Sequence, residues 1–229
     1  YVENRLRRAG YNVTLAPFDF AQWEKNGPST LQRTSPSPHT WVEDTDYVVS
    51  QFSAGGDVTA PVFVAGNTVV PLPGGPGSGV SGCDPADFNG MPAGAIALMQ
   101  RGTCPFVQKY QNAKNAGAVA ALIFNDGFPD RTDPLFITAP VNIGIPTIMT
   151  SHAVGQTLIG LAGSPINVVV DATTTPNTEF NVIADSPRGD EDRTIVVGAH
   201  LDSVEAGAGI NDNGSGTSTL IEIAEQMAK

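Results

Sequence analysis

Apolar positions between residues 95 and 124 change spacing twice, which predicts a strand, a helix and a second strand in that order. Ala95–Met99 is a continuous apolar run of strand length. Four residues then share one helix face, at the i, i+4, i+7 and i+11 positions: Phe106, Tyr110, Ala113 and Gly117. Val119–Phe124 is a second continuous run, which is typical of a strand covered on both faces. The pattern therefore predicts a buried β-α-β unit in the middle of the chain.

Weaker patterns predict further elements on both sides of this unit. Four segments favour short strands: Tyr47–Phe52, Val58–Val64, Ile143–Met149 and Ile166–Val170. Nearer the ends, helices are predicted at 2–9 and 216–229, and strands at 11–20, 180–184 and 194–198. Residues 21–46 are polar and contain three prolines, so we expect an irregular connection there, and 171–177 should be a linker.

These elements predict an α/β fold in two nested parts. Residues 1–46 and 172–229 form one discontinuous α/β domain, and residues 47–171 form an insert that is β-rich, of the α+β type, with its own core. A chain of 229 residues with 41% hydrophobic residues has enough apolar material for both.

Charge excludes some classes of function. The chain has 12 basic and 23 acidic residues and a net charge of −11, and its cations are scattered. A nucleic-acid-binding protein needs a clustered basic surface, so we expect no nucleic-acid partner. There is no run of about 18 apolar residues, so we also expect no membrane span.

Two cysteines, Cys83 and Cys104, are 21 residues apart in sequence. Neither belongs to a Cys-x-x-Cys pair, which excludes a zinc ribbon and a thioredoxin motif. A low charge content, an acidic pI and one cysteine pair favour a secreted, extracellular protein with a single disulfide. The alternative is a cytosolic protein with two reduced, buried cysteines.

The residues that carry candidate chemistry lie near the end of the chain. His200 follows the apolar run Thr194–Gly198, and ligands bind beyond the carboxyl ends of strands in open α/β sheets. Asp202 is placed to orient the imidazole. Asp212 lies in a polar turn that leads into the last helix, and a carboxylate there could bridge two metal ions about 3.5–4 Å apart.

Other motifs in the sequence are weaker. Residues 77–82 match Gly-x-Gly-x-x-Gly but follow a Pro/Gly loop instead of a buried strand, which disfavours a dinucleotide site. Residues 211–222 imitate a calcium loop, but position 1 is Asn and no helix precedes them. No serine has the Gly-x-Ser-x-Gly context and no His-Glu-x-x-His occurs, which excludes the corresponding hydrolase sites. His39 and His152 fit a loop and a helix start.

Two segments resemble known families. Gly198–Ser203, followed by Gly209–Gly216, resembles the metal-binding stretch of family M28 zinc aminopeptidases of the secreted type. The middle of the chain resembles the protease-associated (PA) domain, on Asp87-Phe88, the run Gly94–Phe106 and the helix that follows it. The resemblance implies the N-terminal part of an α/β/α zinc-peptidase sheet with an inserted PA domain.

The resemblance also implies roles for single residues. His200 would be a ligand of one Zn²⁺ ion, Asp212 would bridge two, and Asp202 would orient His200. It implies a cis peptide bond between Asp212 and Asn213 and a disulfide between Cys83 and Cys104. The general-base Glu and the remaining ligands of the family lie downstream of Lys229, so we expect this chain alone to be an inactive fragment.

The implied function is hydrolysis of N-terminal peptide bonds by metal-activated water, with the PA domain shaping substrate access. The substrate would be a peptide or protein with a free N-terminus. The alternative is a non-catalytic, PA-containing interaction protein with a peptidase-like scaffold. Retention of His200, Asp202 and Asp212 favours the enzyme.

Overall fold

The computed structural model describes residues 1–35, 37–135, 142–190, 192–204 and 207–229. The chain folds into two units. The first unit contains Tyr1–Phe20 and Asn177–Lys229, and the second contains Ala21–Pro176. Strands β1 (Asn12–Lys25) and β10 (Ala172–Asp185) pair with each other, and each contains one of the unit boundaries.

The second unit is built on a mixed sheet of eight strands. Its strands are β2 (Thr30–Arg33), β3 (His39–Trp41), β4 (Tyr47–Val49), β5 (Gly56–Val64), β6 (Ile96–Gln100), β7 (Ala120–Phe124), β8 (Thr147–Thr150) and β9 (Pro165–Val170). Their order across the sheet is β3-β2-β9-β5-β6-β7-β8-β4. β5 to β8 are parallel to one another, whereas the outer pairings are antiparallel. Two helices accompany the sheet, α2 (Phe106–Asn115) and α3 (His152–Ile159).

The predicted β-α-β unit is confirmed as β6, α2 and β7. Every residue of β6 and β7 is buried, as expected for strands covered on both faces. Tyr110 and Ala113 on α2 are fully buried, and Gly117 ends the helix region with a positive φ of 97°. Helix α3 packs closely on β7, because a Cβ atom at Gly155 would lie 2.3 Å from the Cβ of Phe124.

Two expectations for the flanks of this unit are wrong. Residues 21–46 are not an irregular connection, since β2 pairs with both β3 and β9 in the main sheet. Residues 171–177 are not a linker, since β10 begins at Ala172. In both segments the short strands depend on partners distant in sequence, for example Leu31 opposite Val168. Local patterning does not encode such partners.

The Cys83–Cys104 disulfide is confirmed, with Cα atoms 5.8 Å apart. It lies beside the fully buried side chain of Lys109 on α2. The Lys109 ammonium donates a hydrogen bond to the Ser81 carbonyl, and its Nζ lies 3.5 Å from the Cys83 Sγ. Burial lowers the pKa of Lys109 to about 8, partly opposed by the charge of Asp87. The unit therefore folds with an ammonium group largely removed from water.

We expect the stability of the second unit to rise with pH between about 8 and 10 because of Lys109. Below pH 8 both the folded and the unfolded chain hold the proton, and the cost of burying the charge is fully present. Above pH 8 the folded chain releases the Lys109 proton. The unfolded chain still binds this proton, because an ordinary lysine has a pKa near 10.4. The free energy of unfolding should therefore rise by about 1 kcal/mol per pH unit relative to Lys109→Met.

Urea unfolding followed by tryptophan fluorescence measures this effect, because both tryptophans, Trp23 and Trp41, lie in the second unit. Lys114→Met is the matched control, since Lys114 is exposed on the same helix, and this variant should follow the wild type. If the free energies of unfolding of the wild type and Lys109→Met differ by the same amount at every pH from 8 to 10, the prediction is wrong.

The first unit contains helices α1 (Val2–Arg8) and α4 (Ser215–Met227). Its buried hydrophobic residues in the described part of the chain are Leu6, Val13 and Ile221. The two helices are joined by a bidentate ion pair, in which Arg5 donates to Glu225 over 2.5 and 2.7 Å. None of the helices in the described ranges has the length and apolar character needed to cross a membrane.

The strand predicted at Thr194–Gly198 is absent from the structure. This segment has no regular secondary structure, and Ile195 and Val196 are 88% and 87% exposed. A strand forms only where a neighbouring strand completes its backbone hydrogen bonds, whatever its intrinsic preference. No strand of the described residues pairs with 194–198. The prediction that His200 follows a buried strand is therefore wrong for this structure.

Candidate functional site

The imidazole of His200 lies between two carboxylates. Its Nε2 is 2.9 Å from the Asp212 Oδ1, and its Nδ1 is 3.0 Å from the Asp202 Oδ1. Nδ1 also lies 3.2 Å from the Asp202 carbonyl oxygen. The structure thus brings together the three residues that the sequence singles out, although Asp212 comes from a different segment than His200 and Asp202.

Asp212 is presented by the turn Ile210–Gly214, which leads directly into α4. Asp212 and Asn213 have non-helical backbone angles, and the peptide bond between them is cis, as the resemblance implies. Gly209 precedes the turn with φ of 59°, and a Cβ atom there would lie 2.7 Å from both the Asp212 carbonyl oxygen and the Ser203 Oγ. Only glycine allows the two segments to approach this closely.

Hydrogen bonds from the start of α4 stabilise the turn Ile210–Gly214. The Ser215 hydroxyl donates to the Asn211 carbonyl over 2.7 Å, and the Gly216 amide donates to the Asn213 Oδ1 over 3.2 Å. The Gly214 amide closes the turn on the Gly209 carbonyl over 2.8 Å. Asp212 itself is left with a highly exposed side chain, so its carboxylate is available to a ligand.

The electrostatics of the site favour a positive charge at His200. Partial desolvation lowers the pKa of this imidazole, but hydrogen bonding to the Asp202 backbone and to the Asp212 carboxylate, with the charge of Asp202, outweighs it. The net effect raises the pKa of His200 above its ordinary value. Two carboxylates around one imidazole thus attract a proton, and they would attract a metal cation for the same reason.

The donor atoms present fit half of a zinc site. Two donors of one tetrahedral zinc ion lie about 3.3 Å apart when each is about 2.0 Å from it, and the Nε2 of His200 and the Oδ1 of Asp212 are 2.9 Å apart. Asp202 faces the other ring nitrogen, where a carboxylate fixes the tautomer of a ligating histidine. Within the described ranges, no group of three His, Cys, Asp or Glu side chains forms a complete metal site.

The other two histidines lie in the second unit. His39 is exposed on β3, with its ring against Trp41. His152 begins α3 directly after Ser151, the N-cap residue, whose hydroxyl accepts a hydrogen bond from the Val154 amide. The Nδ1 of His152 lies 2.9 Å from the Asn125 carbonyl oxygen. The helix start predicted for His152 is confirmed, whereas the loop predicted for His39 is wrong, because His39 begins a strand that pairs with β2.

Sequence reasoning missed one residue that contacts the site. The Thr217 hydroxyl on α4 donates a hydrogen bond to the His200 carbonyl over 3.1 Å. A threonine in the first turn of a helix carries no distinguishing signal, since such hydroxyls commonly bond within their own helix.

Comparisons with known proteins agree with both sequence resemblances. The profile described as "PA domain" matches residues 58–158, and the profile described as "Peptidase family M28" matches residues 181–229. An aminopeptidase of Pseudomonas aeruginosa is 39% identical over 238 residues. That match covers the whole of this chain, which spans 42% of the length of the relative.

Solved aminopeptidases share the fold. The aminopeptidase from Aneurinibacillus sp. strain AM-1 superposes with a TM-score of 0.73 at 28% identity, covering all of this chain and 52% of that one. BSAP, described as a zinc aminopeptidase from Bacillus subtilis, superposes with a TM-score of 0.59 at 25% identity, covering all of this chain and 50% of its own.

Proposed function

Because this chain belongs to peptidase family M28 and carries a PA domain, we propose that it is part of a secreted zinc aminopeptidase that removes N-terminal residues from peptides. The observation that carries this proposal is the approach of the His200 Nε2 to the Asp212 Oδ1, at 2.9 Å. An imidazole nitrogen and a carboxylate oxygen are donors that suit zinc.

Each residue of the site has a distinct task in this proposal. His200 and Asp212 would hold zinc, and the Asp212 carboxylate would serve both ions of a two-metal site. Asp202 accepts a hydrogen bond from the Nδ1–H of His200, which would leave the Nε2 lone pair free for a metal. Zinc, when bound, polarises a carbonyl oxygen and lowers the pKa of water. The remaining ligands and the general base would come from residues outside this sequence, and the chain alone would then be inactive.

The remaining parts of the proposal concern organisation and compartment. The nested order expected from the sequence, a peptidase domain at both ends and a PA insert between them, is part of this proposal. Its expected boundaries, 1–46 and 172–229 around 47–171, move to positions near Phe20 and Asn177, because β2 and β3 pair within the sheet of the second unit. The Cys83–Cys104 disulfide supports secretion, because disulfides persist in oxidising compartments.

Release of N-terminal residues by the full-length protein tests the proposed activity. With zinc present, it should cleave aminoacyl anilides but not the same substrates with an acetylated amino group. Removal of zinc by a chelator should abolish the activity, and added zinc should restore it. If zinc-loaded, folded protein cleaves none of these substrates, the proposal fails and a non-catalytic interaction protein is the better account.

We also propose that the PA domain shapes access of substrates to the site. Its position in the chain, between the two segments of the first unit and before the peptidase match at 181–229, supports this role. Deleting residues 26–171 from the full-length protein removes the whole eight-stranded sheet and keeps β1 and β10, and it should change the ratio of activities on long and short peptides. An unchanged ratio in a folded deletion variant would contradict it.

A further inference from the structure

One hydrogen bond from α4 reaches the backbone of the residue that carries the imidazole. The Thr217 Oγ1 donates to the His200 carbonyl oxygen over 3.1 Å, across 17 positions of sequence. Thr217 is half-buried, and it lies one helical turn after the Asp212 turn that precedes α4. The bond therefore joins the two segments that present the candidate ligands.

In this structure, hydrogen bonds of regular secondary structure do not fix the segment around His200. Residues 194–204 have no regular secondary structure and are largely exposed. α4 is a regular helix of 13 residues, and the Asp212 turn is held to its first turn by Ser215 and Gly216. The position of Asp212 thus follows from α4, and the Thr217 bond ties the His200 backbone to the same helix.

The direct contact between the two ligands cannot serve as this anchor when a metal is bound. The His200 Nε2 and the Asp212 Oδ1 face each other at 2.9 Å, where one shared proton joins them. A cation that takes both lone pairs displaces that proton, and the hydrogen bond is lost. The Thr217 bond uses the backbone carbonyl of His200, which the cation does not need, so it can persist in both states.

We propose that Thr217 is a positioning residue, whose hydroxyl fixes the His200 segment to α4 and so holds the imidazole at metal-binding distance from Asp212. This inference rests on the proposed zinc site. It assigns a function to a side chain whose hydroxyl bonds to the backbone of a candidate ligand and not to its imidazole. Removal of the hydroxyl should weaken zinc binding by about 10- to 100-fold, as is typical for residues that orient metal ligands.

Zinc affinity of the full-length protein, measured by competition with a chromophoric chelator, tests the proposal. Thr217→Val keeps the shape of the side chain but removes the hydroxyl, and Thr217→Ser keeps the hydroxyl. Thr219→Val is the matched control, because the Thr219 hydroxyl bonds to the Ser215 carbonyl within α4, over 2.8 Å. Thermal unfolding of all three variants separates loss of zinc affinity from loss of the fold.

The proposal predicts weak zinc binding by Thr217→Val, whereas Thr217→Ser and Thr219→Val should stay within about threefold of the wild type. If Thr217→Val binds zinc as tightly as Thr219→Val does, the positioning role is wrong and the zinc site still stands. If Thr217→Val and Thr217→Ser lose affinity equally, the hydroxyl is not the cause, which also overturns the inference. If folded wild-type protein binds no zinc, the proposed function fails and this inference fails with it.

Discussion

Asp212→Asn is expected to lower kcat/KM of the full-length protein, assayed on an aminoacyl anilide, on the order of a thousandfold. The substitution keeps the size of the side chain but replaces an anionic oxygen donor by a neutral amide. The Asp212 carboxylate is the partner of His200 at 2.9 Å and the proposed bridge between two ions. Its loss should therefore remove zinc as well as activity, and the zinc content of the purified variant measures this directly.

Asp190→Asn is the matched control for this experiment. Asp190 is a partly exposed aspartate of the same unit, whose carboxylate pairs with Arg193 at 2.7 Å. Exposed ion pairs contribute little to stability, so this variant should keep the activity and the zinc content of the wild type. If Asp212→Asn keeps more than about a tenth of the wild-type activity, Asp212 is not the bridging ligand.

Replacing both Cys83 and Cys104 by Ala is expected to lower the free energy of unfolding of the second unit by about 3 kcal/mol. The disulfide closes a loop between residues 21 positions apart, which restricts the unfolded chain. It also joins the segment before α2 to the loop in which the Ser81 carbonyl accepts a hydrogen bond from the Lys109 ammonium. Urea unfolding followed by the fluorescence of Trp23 and Trp41 measures the loss.

Reduction supplies the control for the double variant. A dithiol reductant should destabilise the wild type by a similar amount and leave the double variant unchanged, because the variant has no disulfide to lose. A difference of less than about 1 kcal/mol between the oxidised wild type and the double variant would show that the disulfide contributes little to this fold.

The sequence predicts the second unit best where local pattern and tertiary context agree. β6, α2 and β7 have long apolar runs or a clear helical face, and all three form as expected. β2 was missed because it has four residues, of which only Leu31 is fully buried, and because its partner β9 lies far away in sequence. Thr194–Gly198 shows the opposite error, since a strong strand pattern forms no strand without a neighbour.

Prediction of the site depends on different information. The approach of His200 to Asp212 follows from a resemblance in two motifs, not from periodicity, and the structure places these side chains in contact. The role proposed for Thr217 depends on the distance between its Oγ1 and the His200 carbonyl oxygen, and the helical pattern of the sequence does not predict that contact. The burial of Lys109 was equally inaccessible, because lysine is almost never fully buried without a partner.

X-ray diffraction from crystals of the zinc-loaded, full-length protein, collected at the zinc absorption edge, tests the central claim most directly. The account predicts an anomalous peak within about 2.0–2.2 Å of both the His200 Nε2 and the Asp212 Oδ1. A zinc peak bound elsewhere, with these two side chains still bonded to each other, would contradict it.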